Sequence, residues 1–169
     1  VYSYMELAKK VASLQFKNPE HVLLFRGQSK DHLNQKKNTT LKPSLFRPVR
    51  GTKTNPDQSR LIQRFGFLDD AERELVFLYG EQSDFQGKKA LQRRRILRWA
   101  ILQHYEICFT PLLDVTHSLR IAASFASDEA SESVFLYVLG VPNISGSVTA
   151  SAEAGIQIVR LSSVCPPNA

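Results

Sequence analysis

Between Trp99 and Ala126 the chain reads WAILQHYEICFTPLLDVTHSLRIAASFA, with polar residues fixed between apolar segments that have to be buried. Few folds accommodate that alternation, so the run constrains the chain more than any other stretch. Trp99 to Leu102 close a helical pattern, and Gln103, His104 and Tyr105 follow on its last turn. Pro111 stops any continuing helix, Leu112 and Leu113 read as a short buried strand, and Asp114 to Ser118 form a polar turn. From Leu119 the apolar positions Ile121, Ala122, Phe125 and Ala126 recur at helical spacing, with Thr116 or Ser118 as the natural N-cap. Two helix ends, a strand end and a hydroxyl-rich turn therefore meet in one short stretch, which is how a site is built.

The flanking chain supplies the scaffold. Tyr4 to Leu14 places Met5, Leu7, Ala8, Val11 and Leu14 on one side of an amphipathic helix. His21 to Phe25 is a compact apolar run that reads as a first strand, ended by Arg26-Gly27. Lys30 to Thr40 is polar loop, and Leu41 to Phe46 is extended, since Pro43 biases Lys42 away from helix. Asp57 to Tyr79 is the longest helical stretch, with Gly66 a candidate bend. Leu91 to Tyr105 is the next helix, Ser133 to Val141 a β-branched and aromatic central strand, Asn143 to Gly155 a loop, and Ile156 to Leu161 a last strand. The expectation is an α+β fold: one domain over residues 1–169, with Val22 to Phe25, Ser133 to Val141 and Ile156 to Leu161 in one central, mostly antiparallel sheet and the Trp99 helix packed on it. The start at Val1 and the end at Pro166-Pro167-Asn168-Ala169 suggest a piece of a longer chain.

Composition excludes several classes. With 169 residues, 43% of them hydrophobic and 22% charged, the chain can bury a core. No apolar run reaches the roughly 18 residues that span a bilayer. Val1 to Phe16 lacks the order of a signal peptide, so a soluble, cytoplasmic protein is expected. Cys108 and Cys165 have no CxxC or CxxH spacing, so neither a disulfide framework nor a metal site is expected, and both read as ordinary thiols. The formal charge of +6 is unevenly spread. Lys30, Lys36, Lys37, Lys42, Arg47 and Arg50 form one cluster, and Lys88, Lys89, Arg93, Arg94, Arg95 and Arg98 another. Such asymmetry suits an anionic partner, a nucleotide phosphate or a nucleic acid reached through Lys88, Lys89, Arg93 and Arg94. Solvated surface explains a charge run without interleaved aromatics equally well.

Individual residues carry more specific chemistry. Arg26, at a strand end beside Gly27, presents a planar fork suited to phosphate or carboxylate, and Gly27 leaves room for a ligand to approach the backbone; the alternative is a structural ion pair with Asp114. Gln28 can hydrogen-bond a base or ribose, or simply belong to a turn. His104 can act as general base or sit in the core capping its helix. Asp114, Thr116 and Ser118 can orient a sugar hydroxyl or a water, or cap the following helix.

Phe25-Arg26-Gly27-Gln28, then Leu41-Lys42-Pro43-Ser44-Leu45-Phe46-Arg47, then the run from Gln103 to Ala126, in that order, resemble the FRG domain family, named for its Phe-Arg-Gly motif. Glu106 stands where that family usually has Gly, and Val115 where it usually has Trp. The order of Arg-Gly on an early strand, Thr116 to Ser118 leading into a helix, and a later strand also resembles ADP-ribosyltransferases of the Arg-Ser-Glu type. That second resemblance implies an ADP-ribosyltransferase-like fold, NAD as cofactor, Arg26 on the dinucleotide phosphates and Thr116 to Ser118 near the nicotinamide ribose. Glu153, or an acid beyond Ala169, would supply the catalytic carboxylate, with Ser151 where a second acidic or Gln residue is usual. His104 or Asp114 would then orient the ribose or the attacking group. The function so implied is that of an NAD-binding transferase or glycohydrolase domain of an intracellular prokaryotic effector; a non-catalytic nucleic-acid or protein interaction module of a larger effector is the alternative.

Overall fold

Ser3 starts the first helix by accepting a hydrogen bond from the Glu6 amide at 3.2 Å. The computed structural model describes residues 1–34, 36–48, 52, 54–82, 87–128, 133–142, 148–151 and 156–159. The elements, in chain order, are α1 (Tyr4–Lys17), β1 (Val22–Gln28), a 3-10 turn (Ser44–Phe46), α2 (Gln58–Glu81), α3 (Lys88–Arg93), α4 (Arg95–His104), α5 (Leu119–Ser127), β2 (Phe135–Val141), β3 (Val148–Ser151) and β4 (Ile156–Val159). The fold is α+β, as the sequence predicts. It divides into two compact units, one built mainly from Val1–Thr40 and the segment from Asp114 to β2, the other mainly from Leu41–Leu113.

In the first unit β1 and β2 form an antiparallel pair in register from Val22 opposite Val141 to Gln28 opposite Phe135. The pleat sends Leu23, Phe25 and Gly27 to one face, and Leu24, Arg26 and Gln28 to the other. On the first face Leu23, Phe25 and Ala122 are buried together, with Val11, Leu119, Leu136 and Val138 packed around them. The helix on this face is α5, and it comes very close. A Cβ on Gly27 would stand 1.8 Å from the Ala122 carbonyl oxygen and 2.8 Å from the Ala126 amide nitrogen. Accordingly Ala122 and Ala126 are buried, whereas Ile121 and Phe125, which share the apolar pattern, are exposed. Small residues win the interface because only they permit this approach.

In the second unit α2 is capped by Asp57, whose carboxylate accepts from the Arg60 amide at 2.9 Å. The helix runs through Gly66 without a break. Leu45, Leu68 and Leu102 are buried in one cluster; Tyr79, Leu91, Leu97 and Ile101 form another. The Glu72 carboxylate, only 5% exposed, accepts from Arg95 Nε at 2.7 Å, Arg98 Nε at 2.8 Å and Trp99 Nε1 at 2.6 Å. Three donors on one buried acid tie α2 to α4.

Several expectations need correction. The strand predicted over Ile156 to Leu161 is β4, yet it pairs with β3 in a separate two-stranded sheet. One edge of β1 is filled by β2 and, at Phe25, the other is met by Thr116. The predicted loop 143–155 contains β3. The Trp99 helix, predicted to lie on the sheet, packs on α2, and the helix against β1 is α5. The helix predicted from Leu91 to Tyr105 is two helices, broken at Arg94, which is extended at φ −119° and ψ 97°. Arg98 holds the break by donating through Nη1 to the carbonyls of Leu91 at 2.9 Å and Gln92 at 3.0 Å. Leu41 to Phe46 is extended only to Pro43, after which Ser44–Phe46 closes a 3-10 turn that drives Leu45 into the core. Leu112 and Leu113 are half-buried and form no strand.

Candidate functional site

Arg26 lies on the β1 face opposite α5, where the strand continues two residues past it to Gln28. The segment after Leu113 runs beside β1: the Phe25 amide donates to the Thr116 carbonyl at 2.8 Å, and the Thr116 amide donates back at 2.9 Å. This single bridge fixes the positions on either side of it. Arg26 Nη1 donates to the Asp114 backbone carbonyl at 2.7 Å. Thr116 Oγ1 accepts from the Ser118 amide at 3.0 Å, and Ser118 Oγ accepts from the Ile121 amide at 3.2 Å, making Ser118 the N-cap of α5. Of the two capping candidates the sequence left open, Ser118 is the cap, and Thr116 closes the turn that leads into it. Thr116, directly opposite Phe25, and Ser118 therefore lie on the α5 side of the strand, while Arg26 and Asp114 are brought together in the first unit.

Two residues that the sequence reading missed join them. Tyr137 stands directly across from Arg26 in the β1–β2 register. Its hydroxyl donates to Asp31 Oδ1 at 2.9 Å, and Asp31 Oδ2 accepts from Thr39 Oγ1 at 2.9 Å. Asp31 therefore fastens both ends of the polar segment after β1 beside Arg26. Burial first, then the Asp31 hydrogen bond and the Asp31 charge, push the Tyr137 hydroxyl up to about 12 against the opposing pull of the Arg26 guanidinium. Tyr137 accordingly stays a neutral donor over the ordinary pH range. A strand tyrosine pairing with a distant arginine leaves no local sequence signal; only the register finds it.

The other predicted site residues lie differently. The space beside Gly27 is filled on its own face by the α5 backbone, so helix packing accounts for this glycine. Gln28 is half-buried at the last rung of the sheet. His104 closes α4 in the second unit and is exposed, its ring edge-on to Tyr105 at 5.0 Å between centroids. The core-histidine reading gives way to a surface one. Glu153 lies outside the described residues, as does Cys165. Cys108 is half-buried, and burial together with the Glu72 charge pushes its thiol up, which suits the ordinary-thiol reading. Among the described residues no three His, Cys, Asp or Glu side chains gather as metal ligands.

The basic cluster of the second unit is partly consumed within it. An open groove of about 530 Å³ is lined by Asp69, Glu72, Arg73, Val76, Arg95 and Arg98. Its guanidiniums face carboxylates: Arg95 pairs with Asp69 and Glu72, Arg98 with Glu72, and Arg73 with Asp70. Lys88 Nζ donates to the Gly80 carbonyl at 2.9 Å. Lys89, Arg93 and Arg94 remain exposed.

Gln103, the first residue of the polar trio, belongs to an internal knot. Fully buried Thr110 donates its hydroxyl to Gln103 Oε1, and its amide donates to Ser44 Oγ at 3.0 Å. The Leu45 amide in turn donates to the Thr110 carbonyl at 3.1 Å. Two of the three sequence motifs, Leu41–Arg47 and the Gln103 run, are therefore held to each other by buried polar contacts. Among the described residues no helix is long and apolar enough to cross a membrane. No curated protein and no solved structure matches the chain. The model of the FRG domain matches residues 21–134, which takes in the Phe25-Arg26-Gly27 strand, the Gln103–Thr110–Ser44 knot and the Thr116–Ser118 cap, and the chain belongs to the FRG domain family.

Proposed function

We propose that the Arg26 face of the first unit binds a phosphorylated nucleotide, NAD above others, and that the domain is ADP-ribosyltransferase-like. The observation that carries this is the placement of the Arg26 guanidinium on the sheet face away from α5, steered by the Asp114 carbonyl at 2.7 Å and standing across from Tyr137. A planar fork held in one orientation suits bidentate contact with a diphosphate, and a neutral tyrosine hydroxyl beside it is compatible with an anion. In this reading Arg26 holds the phosphates, Asp114 beside it flanks the ribose, and Glu153 supplies charge to the transition state at C1′ of that ribose.

The test is calorimetry with NAD on the wild-type protein and on Arg26→Ala and Arg26→Lys, with a nicotinamide-release assay alongside. Arg26→Ala abolishes binding with the melting temperature kept, and Arg26→Lys restores little, because a point charge cannot replace the fork. Wild-type protein that neither binds NAD nor releases nicotinamide refutes the reading. A second reading, an interaction module for polyanions, is favoured by exposed Lys89, Arg93 and Arg94. It requires association with RNA or DNA that weakens steeply with salt and is lost when these three are replaced by Glu.

A further inference from the structure

The last rung of the β1–β2 sheet pairs Gln28 with Phe135. Both project to the face that carries Arg26 and Tyr137, since side chains two apart along a strand share a face and residues directly opposite in an antiparallel pair point the same way. Two features of this rung are unexplained by packing. Gln28 Oε1 is cut off from solvent and has no hydrogen-bond partner among the described residues, an arrangement that costs stability unless a donor arrives from elsewhere. Phe135, beside it, is 37% exposed, although the strand around it is largely half-buried.

We propose that Gln28 and Phe135 form a subsite for a planar heterocycle that carries an exocyclic N–H donor, with Phe135 as the stacking surface and, as the acceptor, the Gln28 carbonyl, which is closed off in the free protein and reaches the ligand by a turn of that half-buried side chain. The inference rests on the nucleotide reading and extends it by assigning the ring. Arg26 is two residues before Gln28 on the same face, one strand repeat of roughly 7 Å away. That is the order of separation between the first phosphate of a nucleotide and its base. An amino or carboxamide N–H answers the Gln28 oxygen, whereas a ring bearing only acceptors there leaves it unanswered. The aromatic surface is indifferent to which heterocycle stacks; the acceptor is what selects.

The test compares probes with and without a ring. NAD binding is measured by calorimetry, and pyrophosphate binding by phosphorus NMR, for wild type, Gln28→Met and Phe135→Leu, with melting temperatures taken for each. Gln28→Met keeps the side-chain volume and removes the acceptor; it weakens NAD binding by roughly tenfold, leaves pyrophosphate binding unchanged, and keeps or raises the melting temperature of the free protein. Phe135→Leu weakens NAD binding to a similar degree, and Phe135→Tyr, which keeps the ring, binds as wild type. AMP and nicotinamide mononucleotide run in parallel identify the ring, as the one whose affinity falls in Gln28→Met. Wild-type binding of NAD that neither variant alters overturns the subsite and leaves the phosphate site standing. Wild-type binding of pyrophosphate without NAD also overturns it. Binding of neither probe overturns the nucleotide reading and the subsite together.

Discussion

Replacing Glu106 by glycine should stabilise the protein. Tyr105 is the C-cap of α4, and Glu106 follows it at φ 54°, in the left-handed region. The Ile107 amide donates to the Leu102 carbonyl at 2.9 Å and the Glu106 amide to the Gln103 carbonyl at 3.0 Å, which is the paired bonding of a Schellman termination. Glycine is the usual residue at that position because a Cβ there costs about 1–2 kcal/mol. Against the gain stands the greater freedom of glycine in the unfolded chain, about 0.5–1 kcal/mol. Removing an exposed negative charge near a helix C-terminus adds about 0.3 kcal/mol. The net expectation for Glu106→Gly is about 1 kcal/mol of added stability, or roughly 2–4 °C in melting temperature for a chain of this size. Urea denaturation followed by circular dichroism, with Glu106→Ala as control, reads it. The alanine variant loses the charge and keeps the Cβ, so it gains at most a few tenths of a kcal/mol. A glycine variant no more stable than the alanine variant would refute the reasoning, since backbone strain would then contribute nothing.

Gly27→Ala should destabilise the first unit by about 3 kcal/mol or more, because the new methyl meets helix backbone at 1.8 Å and only movement of α5 can relieve it; unchanged denaturation would remove the close-packing account. Burial raises the Glu72 pKa, but the bonds from Arg95, Arg98 and Trp99 outweigh it and hold the carboxyl below its ordinary 4.5. Its contribution is therefore complete above pH 4.5 and is lost as pH falls through the depressed value; Glu72→Gln, costing about 3 kcal/mol at neutral pH, should flatten that acid limb of the stability curve. Tyr137 should ionise near 12 in an ultraviolet titration, and Tyr137→Phe should abolish that step while Asp31→Asn brings it down. The Tyr137 hydroxyl stabilises fully below its ordinary value near 10 and loses that contribution as pH rises through 12, so the Phe variant should show a shallower alkaline decline.

Local signals were legible where a residue acts on its own neighbours. Ser118 reads as an N-cap from Leu119 onward, Asp57 precedes a long periodic run, and the apolar stretch to Phe25 is a strand. The misses are places where a distant group decides. Arg94 sits in a pattern good enough for a continuous helix, and the break depends on Arg98 reaching back to Leu91 and Gln92. Ile121 and Phe125 look like core residues, yet the glycine of another element makes Ala122 and Ala126 the buried ones. Arg26 and Asp114 stand in short contiguous motifs that the sequence displays, whereas their neighbours Tyr137 and Asp31 were invisible because cross-strand pairing leaves no trace in the order of residues.

The interleaving of the two units has a consequence for the route by which the chain folds. β1 and its partner β2 are separated in sequence by the whole of Leu41–Leu113, whereas α2, α3 and α4 draw their contacts from within that segment. Closing a loop of that length is an entropic barrier that no contact repays until the strands meet, so the inserted helices should acquire protection first and the sheet last. During synthesis β1 leaves the ribosome long before β2 exists and carries its unpaired edge and the apolar Leu23, Leu24 and Phe25 through that interval. Pulsed hydrogen exchange that finds β1 amides protected before those of α2 would show that the strand has some other early partner.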